Sequence, residues 1–293
     1  MSAYTQPDVK IALTFDFDTY TNWIGSAGAS SPSMISRGEF GPVGVRRILA
    51  LLAEYKAQAT FFVPGGTAIT YPRAVAAIRE AAHEIGHHGW IHENPVNLGL
   101  DEERRILERG IEALRKVAQV RPVGYRSPSW DNSPNTVNLL LEYGFEYESS
   151  MMGSDFEPYW CRIGDNWSKT EPYEFGKPTR LVEMPVAWHL DDWPYFEYIP
   201  GAVGQGLRPP STVLEIWKGE FDYLYHQVGH GVLIITMHPQ AIGRGHRLLM
   251  LREFLEYIVA HSGTRFTSCI DYVRAWRIGK KPELPRDTGQ LAE

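Results

Sequence analysis

Apolar residues along the chain follow two patterns, which predict alternating strands and helices. Short continuous apolar runs are typical of buried strands, and they occupy residues 9–17, 59–63, 85–88 and 232–237. Longer amphipathic runs are typical of helices, and they occupy residues 43–56, 73–83, 101–117, 135–143 and 248–261. Buried strands separated by helices predict an α/β fold, whose parallel sheet is either covered on both faces or closed into a barrel. Reactive groups of such folds lie at the carboxyl ends of the strands.

Two segments interrupt this alternation and are predicted to be long loops. Residues 19–42 are rich in Gly and Ser, and their length predicts a functional loop or a contact surface. Residues 151–210 are also irregular and contain eleven aromatic residues between Phe156 and Tyr198. That density fits two interpretations, a wall around a small ligand or sugar and a buried subunit interface.

Composition and charge narrow the class of protein. Of the 293 residues, 43% are hydrophobic and 22% charged, as in soluble globular proteins. The net charge of -6 provides no basic surface for nucleic acid, and no Lys or Arg run indicates membrane binding. Residues 1–10 lack the pattern of a signal peptide. Cys161 and Cys269 are isolated and are interpreted as reduced thiols. We therefore expect a cytoplasmic protein that acts on a small soluble molecule.

Two acids stand together at the end of the first predicted strand. Side chains two residues apart share one face of a strand, so Asp16 and Asp18 point together while Phe15 and Phe17 point away. Two neighbouring carboxylates repel each other, and a cation or a chemical task would offset that repulsion. The alternative is an exposed strand end that merely carries two acids.

Two histidines provide candidate metal ligands. His88 and His92 are separated by three residues, which on a helical turn would place both imidazoles on one face. Imidazole together with carboxylate suits zinc and similar ions. The spacing alone is weak evidence, because the chain repeats it at residues 83–87 and 226–230.

Both repeats of this spacing have other interpretations. Residues 83–87 fit HExxH, the helical signature of zinc proteases, which requires a helix through His87. Glycines 86 and 89 and the apolar run from residue 85 instead predict a strand there. His226 and His230 are predicted to lie on a helix with no evident acidic partner, and we interpret them as structural.

Two further polar positions follow short apolar runs. Arg126, with Pro128 stiffening its loop, could bind a carboxylate through two hydrogen bonds. His238 ends the apolar run at residues 232–237, and Pro239 stops that strand. A histidine in this position is placed as a general acid or base would be, although such a histidine is often only hydrogen-bonded.

These motifs, in this order, resemble those of the polysaccharide-deacetylase superfamily, the carbohydrate esterases with a nodulation-type deacetylase domain, over roughly residues 9–276. The family's TFDDG is similar to residues 14–18, with one residue inserted between the acids and the glycine lost. Its H(S/T)xxH, RxP and Asp-Trp motifs are similar to residues 88–92, 126–128 and 192–193. The resemblance implies a catalytic base at Asp16, metal ligands at Asp18, His88 and His92, a partner for the base at Arg126, a catalytic acid at His238, and an acid that orients it at Asp192.

The resemblance also implies the fold and one branch of the family. The expected fold is a distorted (β/α) barrel that forms a single catalytic domain over residues 1–293. Residues 15–19, 36–40, 92–95 and 190–193 look like an intracellular, oligomeric branch. That branch includes bacterial cyclic imide hydrolases, a metal-independent allantoinase and a peptidoglycan-deacetylase-like protein. Cyclic imide hydrolases are the most similar in length. The allantoinase-like relatives lack the Asp-x-Asp element, so its presence here implies a bound metal ion. The branch further implies a homo-oligomer, and specifically a tetramer.

The expected activity is therefore hydrolysis of a C–N bond in a cyclic imide, which opens the ring to a half-amide. The cofactor implied is Zn²⁺, with Mn²⁺, Co²⁺ and Fe²⁺ as alternatives that accept the same ligands. The alternative activity is deacetylation of an N-acetylated sugar or peptidoglycan fragment by the same residues. A non-catalytic binding protein on this fold would lack at least one of five residues that are all present, namely Asp16, Asp18, His88, His92 and His238.

Overall fold

The fold is known from a computed structural model that describes residues 6–199 and 206–284. Within these residues, nine strands form one sheet. They are β1 (Asp8–Asp16), β2 (Ala59–Val63), β3 (Glu84–His87), β4 (Gly124–Tyr125), β5 (Tyr147–Glu148), β6 (Tyr159–Ile163), β7 (Lys177–Glu183), β8 (His230–Met237) and β9 (Thr264–Phe266).

Helices connect most of these strands. They are α1 (Tyr20–Gly25), α2 (Pro32–Ile35), α3 (Gly41–Glu54), α4 (Gly65–Thr70), α5 (Pro72–Glu80), α6 (Leu100–Ala118), α7 (Thr136–Glu142), α8 (Trp193–Phe196), α9 (Pro210–Tyr223), α10 (Pro239–Ile242), α11 (Gly245–Val259) and α12 (Cys269–Trp276). Within the described ranges, no helix combines the length and the apolar character needed to cross a membrane.

The sheet curls into a distorted barrel, which confirms the predicted α/β fold. Its strand order is β6-β7-β5-β4-β3-β2-β1-β8, with β9 beside the start of β1. All pairs are parallel except β6 with β7. Trp160 and Val182 from one end of the sheet share a buried cluster with Val232 and Ile234 from the other end. The two ends of the sheet therefore face each other across a common interior.

The two faces of β1 explain its continuous apolar sequence. Ala12 points into the barrel and belongs to the interior cluster. Ile11, Leu13 and Phe15 point outward and pack in the larger core between sheet and helices. A strand buried on both faces needs apolar residues at every position, which is why no alternation is visible in the sequence.

The amino end of the barrel is closed by α12. The amide of Cys269 donates to Thr60 Oγ1 at 2.9 Å, and the amide of Ile270 donates to Glu84 Oε2 at 3.0 Å. Val273, one turn later, lies in the interior cluster. Helix α12 thus fills this end of the barrel, and the cavity described below opens at the other end, where the strands have their carboxyl ends.

The predicted long segments contain regular structure, and the prediction of loops there is wrong. Residues 19–42 include α1, α2 and a 3-10 helix at Ser36–Phe40. Their glycines serve close packing, since a Cβ on Gly25 would collide with the backbone of Ile91 and one on Gly38 with the backbone of Thr19. Glycine content therefore indicates close backbone contacts here instead of a flexible loop.

The described part of residues 151–210 also differs from the prediction. It contains the antiparallel pair β6 and β7 and the short helix α8. The sequence missed this hairpin because its strands are short and Arg162 and Pro178 interrupt their apolar character. Residues 200–205 of the predicted segment lie outside the described residues.

Candidate active site

The predicted site residues meet at the carboxyl ends of four strands. Asp16 is the last residue of β1, and Asp18 follows two residues later. His88 directly follows β3, Arg126 directly follows β4, and His238 directly follows β8. Parallel strands bring their carboxyl ends to one edge of the sheet, and the structure places all five side chains there. All five are buried.

Asp18, His88 and His92 form a cluster with the composition of a metal site. One ligand atom from each residue lies within 4.8 Å of those from the other two. Nε2 of His88 lies 3.3 Å from Asp18 Oδ1, and Nε2 of His92 lies 3.7 Å from Asp18 Oδ2. Of the buried side-chain atoms that the structure describes, Asp18 Oδ1 and His88 Nε2 are among those without a hydrogen-bond partner. Buried polar atoms normally have a partner, so a divalent cation fits the space between them.

The two histidines do not lie on a helical turn, and that expectation is wrong. The segment after β3 turns through Gly89, with φ of 72°, and His92 itself adopts a left-handed conformation with φ of 63°. The glycine relieves the steric cost at the first of these positions. The chain thus loops back, and the imidazoles of His88 and His92 meet edge to face with their centroids 4.9 Å apart.

Hydrogen bonds to the other ring nitrogen orient both histidines. The Nδ1–H of His88 donates to the carbonyl oxygen of Arg126 at 2.7 Å. Nδ1 of His92 lies 2.5 Å from Ser26 Oγ, whose hydroxyl also donates to the carbonyl oxygen of His92 at 3.0 Å. Each bond leaves Nε2 free for a metal ion, as is usual for metal-binding histidines. Ser26 was not predicted as a site residue. The one indication of its role in the sequence is its place in the Gly- and Ser-rich segment 19–42.

Arg126 holds Asp16 at the edge of the cavity. Its Nη1 donates to Asp16 Oδ1 at 2.8 Å and to Thr14 Oγ1 at 2.8 Å. Its Nε and Nη2 donate to the carbonyl and hydroxyl oxygens of Ser149 at 3.0 and 2.9 Å. The guanidinium is fully buried and held on several sides, so Asp16 has a fixed orientation and a positive charge beside it. The other oxygen of Asp16, Oδ2, lies 3.9 Å from His88 Nε2.

His238 is paired with Asp192, as the resemblance implied. The Nδ1–H of His238 donates to Asp192 Oδ1 at 2.8 Å, and the backbone amide of His238 donates to the same oxygen at 3.0 Å. This arrangement leaves Nε2 at 3.6 Å from Asp18 Oδ2. A second acid, Asp191, lies 3.5 Å from His238 Nδ1 and was not assigned a role from the sequence.

Burial and mutual charge set the protonation of this cluster. Burial raises the pKa of Asp18, but the imidazoles of His92, His88 and His238 lower it to a net value of about 2. Burial lowers the pKa of His92 to about 4. Burial also lowers the pKa of His238, yet the nearby acids, Asp191 first, raise it well above its usual range. Near neutral pH the cluster thus contains an ionised Asp18, a neutral His92 and a protonated His238.

A cavity of about 340 Å³ opens above these groups. Rings of Trp130 and Trp188 lie beside each other with centroids 4.4 Å apart, and Trp193 lies 5.0 Å from His238. Two of the eleven aromatic residues of segment 156–198 thus belong to the cavity wall. The walls include Asp16, His88, His92, Trp130, Trp188, Asp191, Trp193 and His238.

The other histidine motifs lie elsewhere. Residues 84–87 form β3, so the zinc-protease signature is not helical, as predicted. The predicted helix through residues 226–230 is only partly correct, because His226 lies in a π-helical turn at Leu224–Val228 and His230 begins β8. Gly229, with φ of 78°, ends the turn between them.

Comparisons with known proteins identify the family of this chain. The sequence model of the family "Polysaccharide deacetylase" matches residues 3–148. A peptidoglycan deacetylase of Helicobacter pylori is 36% identical over 274 residues, which cover 89% of this chain and 94% of that protein. A peptidoglycan deacetylase-like protein of Gibberella zeae is 28% identical, over 81% of this chain and 77% of that protein.

Solved structures show the same relationship. A crystal structure from Mycobacterium smegmatis, assigned to the polysaccharide deacetylases, is 37% identical, with a TM-score of 0.83 over 98% of this chain and 96% of that one. An allantoinase structure shares the fold, with a TM-score of 0.76 at 24% identity over 94% of this chain and 95% of that one. Nothing among these similarities points specifically to cyclic imide hydrolases. The chain belongs to the polysaccharide deacetylase family.

Proposed function

We propose that the protein removes an acetyl group from an N-acetylated sugar, as found in peptidoglycan fragments, by hydrolysis of the amide C–N bond. The observation that carries this proposal is the convergence of Asp16, His88, His92 and His238 on one cavity. Behind them, the carboxylate of the buried Asp18 lies within 3.7 Å of all three histidines. The family model is named for polysaccharide deacetylases, and the relative from Helicobacter pylori, matched over 94% of its length, is named a peptidoglycan deacetylase. Both names support the same reaction. An N-acetylated sugar thus replaces the cyclic imide, which was expected from the sequence, as the first candidate substrate.

Asp18, His88 and His92 would hold a divalent metal ion in this reaction. Two imidazoles and one carboxylate favour Zn²⁺, while Mn²⁺, Co²⁺ and Fe²⁺ accept the same donors. When bound, the ion lowers the pKa of water and polarises a substrate carbonyl. The chain's own contribution is the fixed orientation of both imidazoles by Ser26 and the Arg126 carbonyl.

Asp16 is proposed as the general base. One of its oxygens is bonded to Arg126 and the other lies toward the metal ligands, where it can accept a proton from the attacking water. The water oxygen bonds to the acetyl carbon, and Asp16 takes its proton. The hydrogen bond from Arg126 holds the carboxylate in its orientation through this step.

His238 is proposed as the general acid. Its Nδ1–H is bonded to Asp192, so Nε2–H faces the cavity and can reach the departing nitrogen. As the C–N bond breaks, the nitrogen receives this proton and leaves as an amine, while the acyl carbon leaves as acetate. The neighbouring acids raise the pKa of His238, despite its burial, so that the proton is present before the reaction begins.

The aromatic wall supports a sugar substrate. Trp188 is 48% exposed and Trp130 lies against it at the cavity. A large exposed apolar ring beside buried polar groups is typical of a ligand-binding wall. It provides a flat apolar surface on which a sugar ring could stack.

Ring opening of a cyclic imide is the second candidate, favoured by one observation. Asp191 lies at the cavity beside His238, and its pKa is raised to about 7, because burial raises it more than His238 lowers it. An oxygen of the Asp191 carboxyl group could accept a hydrogen bond from the N–H of an imide ring. The branch resemblance also supports two further parts of the proposal, namely cytoplasmic action and a homotetramer. Light scattering of the purified protein would test the homotetramer.

One experiment separates these candidates. Metal-analysed protein is incubated in parallel with a chito-oligosaccharide, a peptidoglycan fragment, succinimide and a hydantoin, with the Asp16→Asn variant as the control for contaminating activity. We expect acetate release from the N-acetylated substrates by the parent protein. Ring opening of succinimide without acetate release would overturn the deacetylase proposal in favour of the second candidate.

A further inference from the structure

A second cluster of one aspartate and two histidines lies at the opposite end of the sheet from the cavity. Asp222 is near the end of α9, His226 lies in the π-helical turn that follows, and His261 comes just after α11. His226 and His261 precede β8 and β9, whereas His238 follows β8. Eight residues of strand separate the two ends, a distance of about 26 Å at the usual rise per residue. The cluster is therefore separate from the active site.

The ligand atoms of this cluster, like those of the buried one, are close enough together to share one metal ion. One ligand atom from each of Asp222, His226 and His261 lies within 4.8 Å of the other two. The imidazoles of His226 and His261 have their centroids 6.2 Å apart. Asp222 and His226 are four residues apart along the chain, and the wider π-helical turn, a feature often found at functional sites, carries the histidine.

Hydrogen bonds already set two of these side chains in the state that a metal ion requires. Nδ1–H of His261 donates to the carbonyl oxygen of Tyr257 at 2.9 Å, which leaves the lone pair on Nε2. The hydroxyl of Tyr257 donates to Asp222 Oδ1 at 2.7 Å, which leaves Oδ2 available. Outer hydrogen bonds of this kind fix the tautomer and direction of metal ligands.

Aromatic neighbours hold the ring of His261 in place. Its centroid lies 5.0 Å from that of Phe221, 4.9 Å from Tyr225 and 4.8 Å from Tyr257. A ring packed on three sides has little rotational freedom left to lose when it binds a ligand. The cluster therefore combines preset ligands with partial exposure to solvent.

We propose that Asp222, His226 and His261 bind a divalent transition-metal ion of the Zn²⁺ class and so link the end of α9 to the end of α11. Two imidazoles and a carboxylate favour such an ion over Mg²⁺ or Ca²⁺, which prefer all-oxygen sites. Three protein ligands leave coordination positions for water. The inference does not depend on the proposed reaction.

The test measures Zn²⁺ binding at this site in a variant that lacks the two histidines of the buried site. In the double variant His88→Ala/His92→Ala, Zn²⁺ is titrated by calorimetry in a buffer that does not chelate metals. We expect one equivalent of Zn²⁺ to bind, and we expect a further His261→Ala substitution to weaken that binding at least tenfold. A further His246→Ala substitution is the matched control, because it removes an exposed imidazole outside the cluster and should leave the affinity unchanged.

Two results would overturn the proposal. One is a double variant that binds no Zn²⁺ at 100 µM, and the other is an equal loss of affinity in the His261→Ala and His246→Ala backgrounds. If the double variant does not fold, metal is counted in the parent chain and in its His226→Ala variant. The proposal then requires one equivalent fewer in His226→Ala, and equal metal contents would reject it.

Discussion

The two aspartate–histidine clusters have the same composition but opposite surroundings. Asp18, His88 and His92 are buried at the mouth of the barrel, whereas His226 of the second cluster is exposed. Water can solvate charge in the exposed cluster. In the buried cluster, the charge of Asp18 must be balanced by the histidines or by a metal ion, because an unpaired buried charge is costly. Burial thus turns a common arrangement of residues into one that requires a cation.

The largest expected difference is in activity. Asp18→Asn removes the charged ligand, and since a bound metal supplies several kcal/mol of transition-state stabilisation, kcat/KM should fall by about three orders of magnitude or more. Asp222→Asn, the equivalent change in the exposed cluster, should leave kcat/KM for acetate release unchanged. Comparable losses in both variants would mean that the two clusters are not functionally distinct.

The second prediction concerns the acid and base within the buried region. For an acetamide substrate, both Asp16→Asn and His238→Ala should lower kcat by about 10²–10⁴-fold, since an amine cannot leave without a proton. An imide nitrogen leaves as a stabilised anion and needs less help. The rates of both variants, measured on the substrate that the parent hydrolyses, therefore distinguish an amide substrate from an imide substrate. A small loss in His238→Ala beside a large loss in Asp16→Asn would indicate an imide.

The third prediction concerns the hydroxyl groups that orient each cluster. Ser26→Ala removes the partner of His92 Nδ1 and should weaken metal binding at the buried site by about 10–100-fold, the usual effect of losing such a contact. Tyr257→Phe removes the partner of Asp222 and should have a smaller effect, because water can replace the hydroxyl at an exposed carboxylate.

Competition with a chromophoric chelator measures both affinities. Ser36→Ala is the matched control for the first, since the hydroxyl of Ser36 bonds only to the carbonyl oxygen of Ser33 among the described contacts. Ser26→Thr keeps a hydroxyl and should restore most of the affinity. Equal affinity of Ser26→Ala and the parent protein would show that His92 is held by its backbone alone.

The sequence predicted most of the buried site and little of the exposed one, for a physical reason. Asp16, His88 and His238 lie at or directly after the ends of largely buried strands, so strand ends locate them. His226 was interpreted as structural because no acidic partner was evident, yet Asp222 lies four residues before it. Its second partner, His261, lies 35 residues after it, beyond the end of α11. Contacts between helices depend on how each helix packs on the sheet, and the pattern of a single sequence does not predict that packing.

The fold shows the same limit. Strands β1 and β8 and helices α3, α6 and α11 were predicted to within a few residues, because burial on the sheet determines their pattern. Strand β7 and the 14-residue helix α9 were not predicted. Helix α12 was missed, although Ser268 caps it by accepting from the amide of Asp271 at 3.2 Å. Only eight residues long, it is too short for its periodicity to stand out from its neighbours.

A buried pair of acids without histidines provides the last comparison. Glu148 and Glu183 are both fully buried beside Ser150, and Glu183 Oε1 accepts from the amides of Ser150 and Met151 at 2.9 Å. Burial, and then the neighbouring charge of Glu148, raise the pKa of Glu183 well above its usual range. Here a proton on Glu183, instead of a cation, offsets the cost of placing two acids together.

This difference predicts how stability depends on pH. The folded pKa of Glu183 lies above its unfolded value of 4.5, so as pH rises the unfolded chain releases this proton while the folded protein retains it. The contribution of Glu183 to the free energy of unfolding therefore decreases with rising pH, by about 1.4 kcal/mol for each unit between the two pKa values. Glu183→Gln has no proton to release and should lack this decrease.

Urea unfolding at pH 5 and pH 8 measures the effect as a difference between variants. The free energy of unfolding of the parent, minus that of Glu183→Gln, should be smaller at pH 8, because other titrating groups cancel in the subtraction. Glu80→Gln, at an exposed position, is the matched control and should give the same difference at both pH values. If Glu183→Gln behaves like Glu80→Gln, Glu183 is ionised in the folded protein. The buried acids would then need a positive partner after all, as Asp18 does.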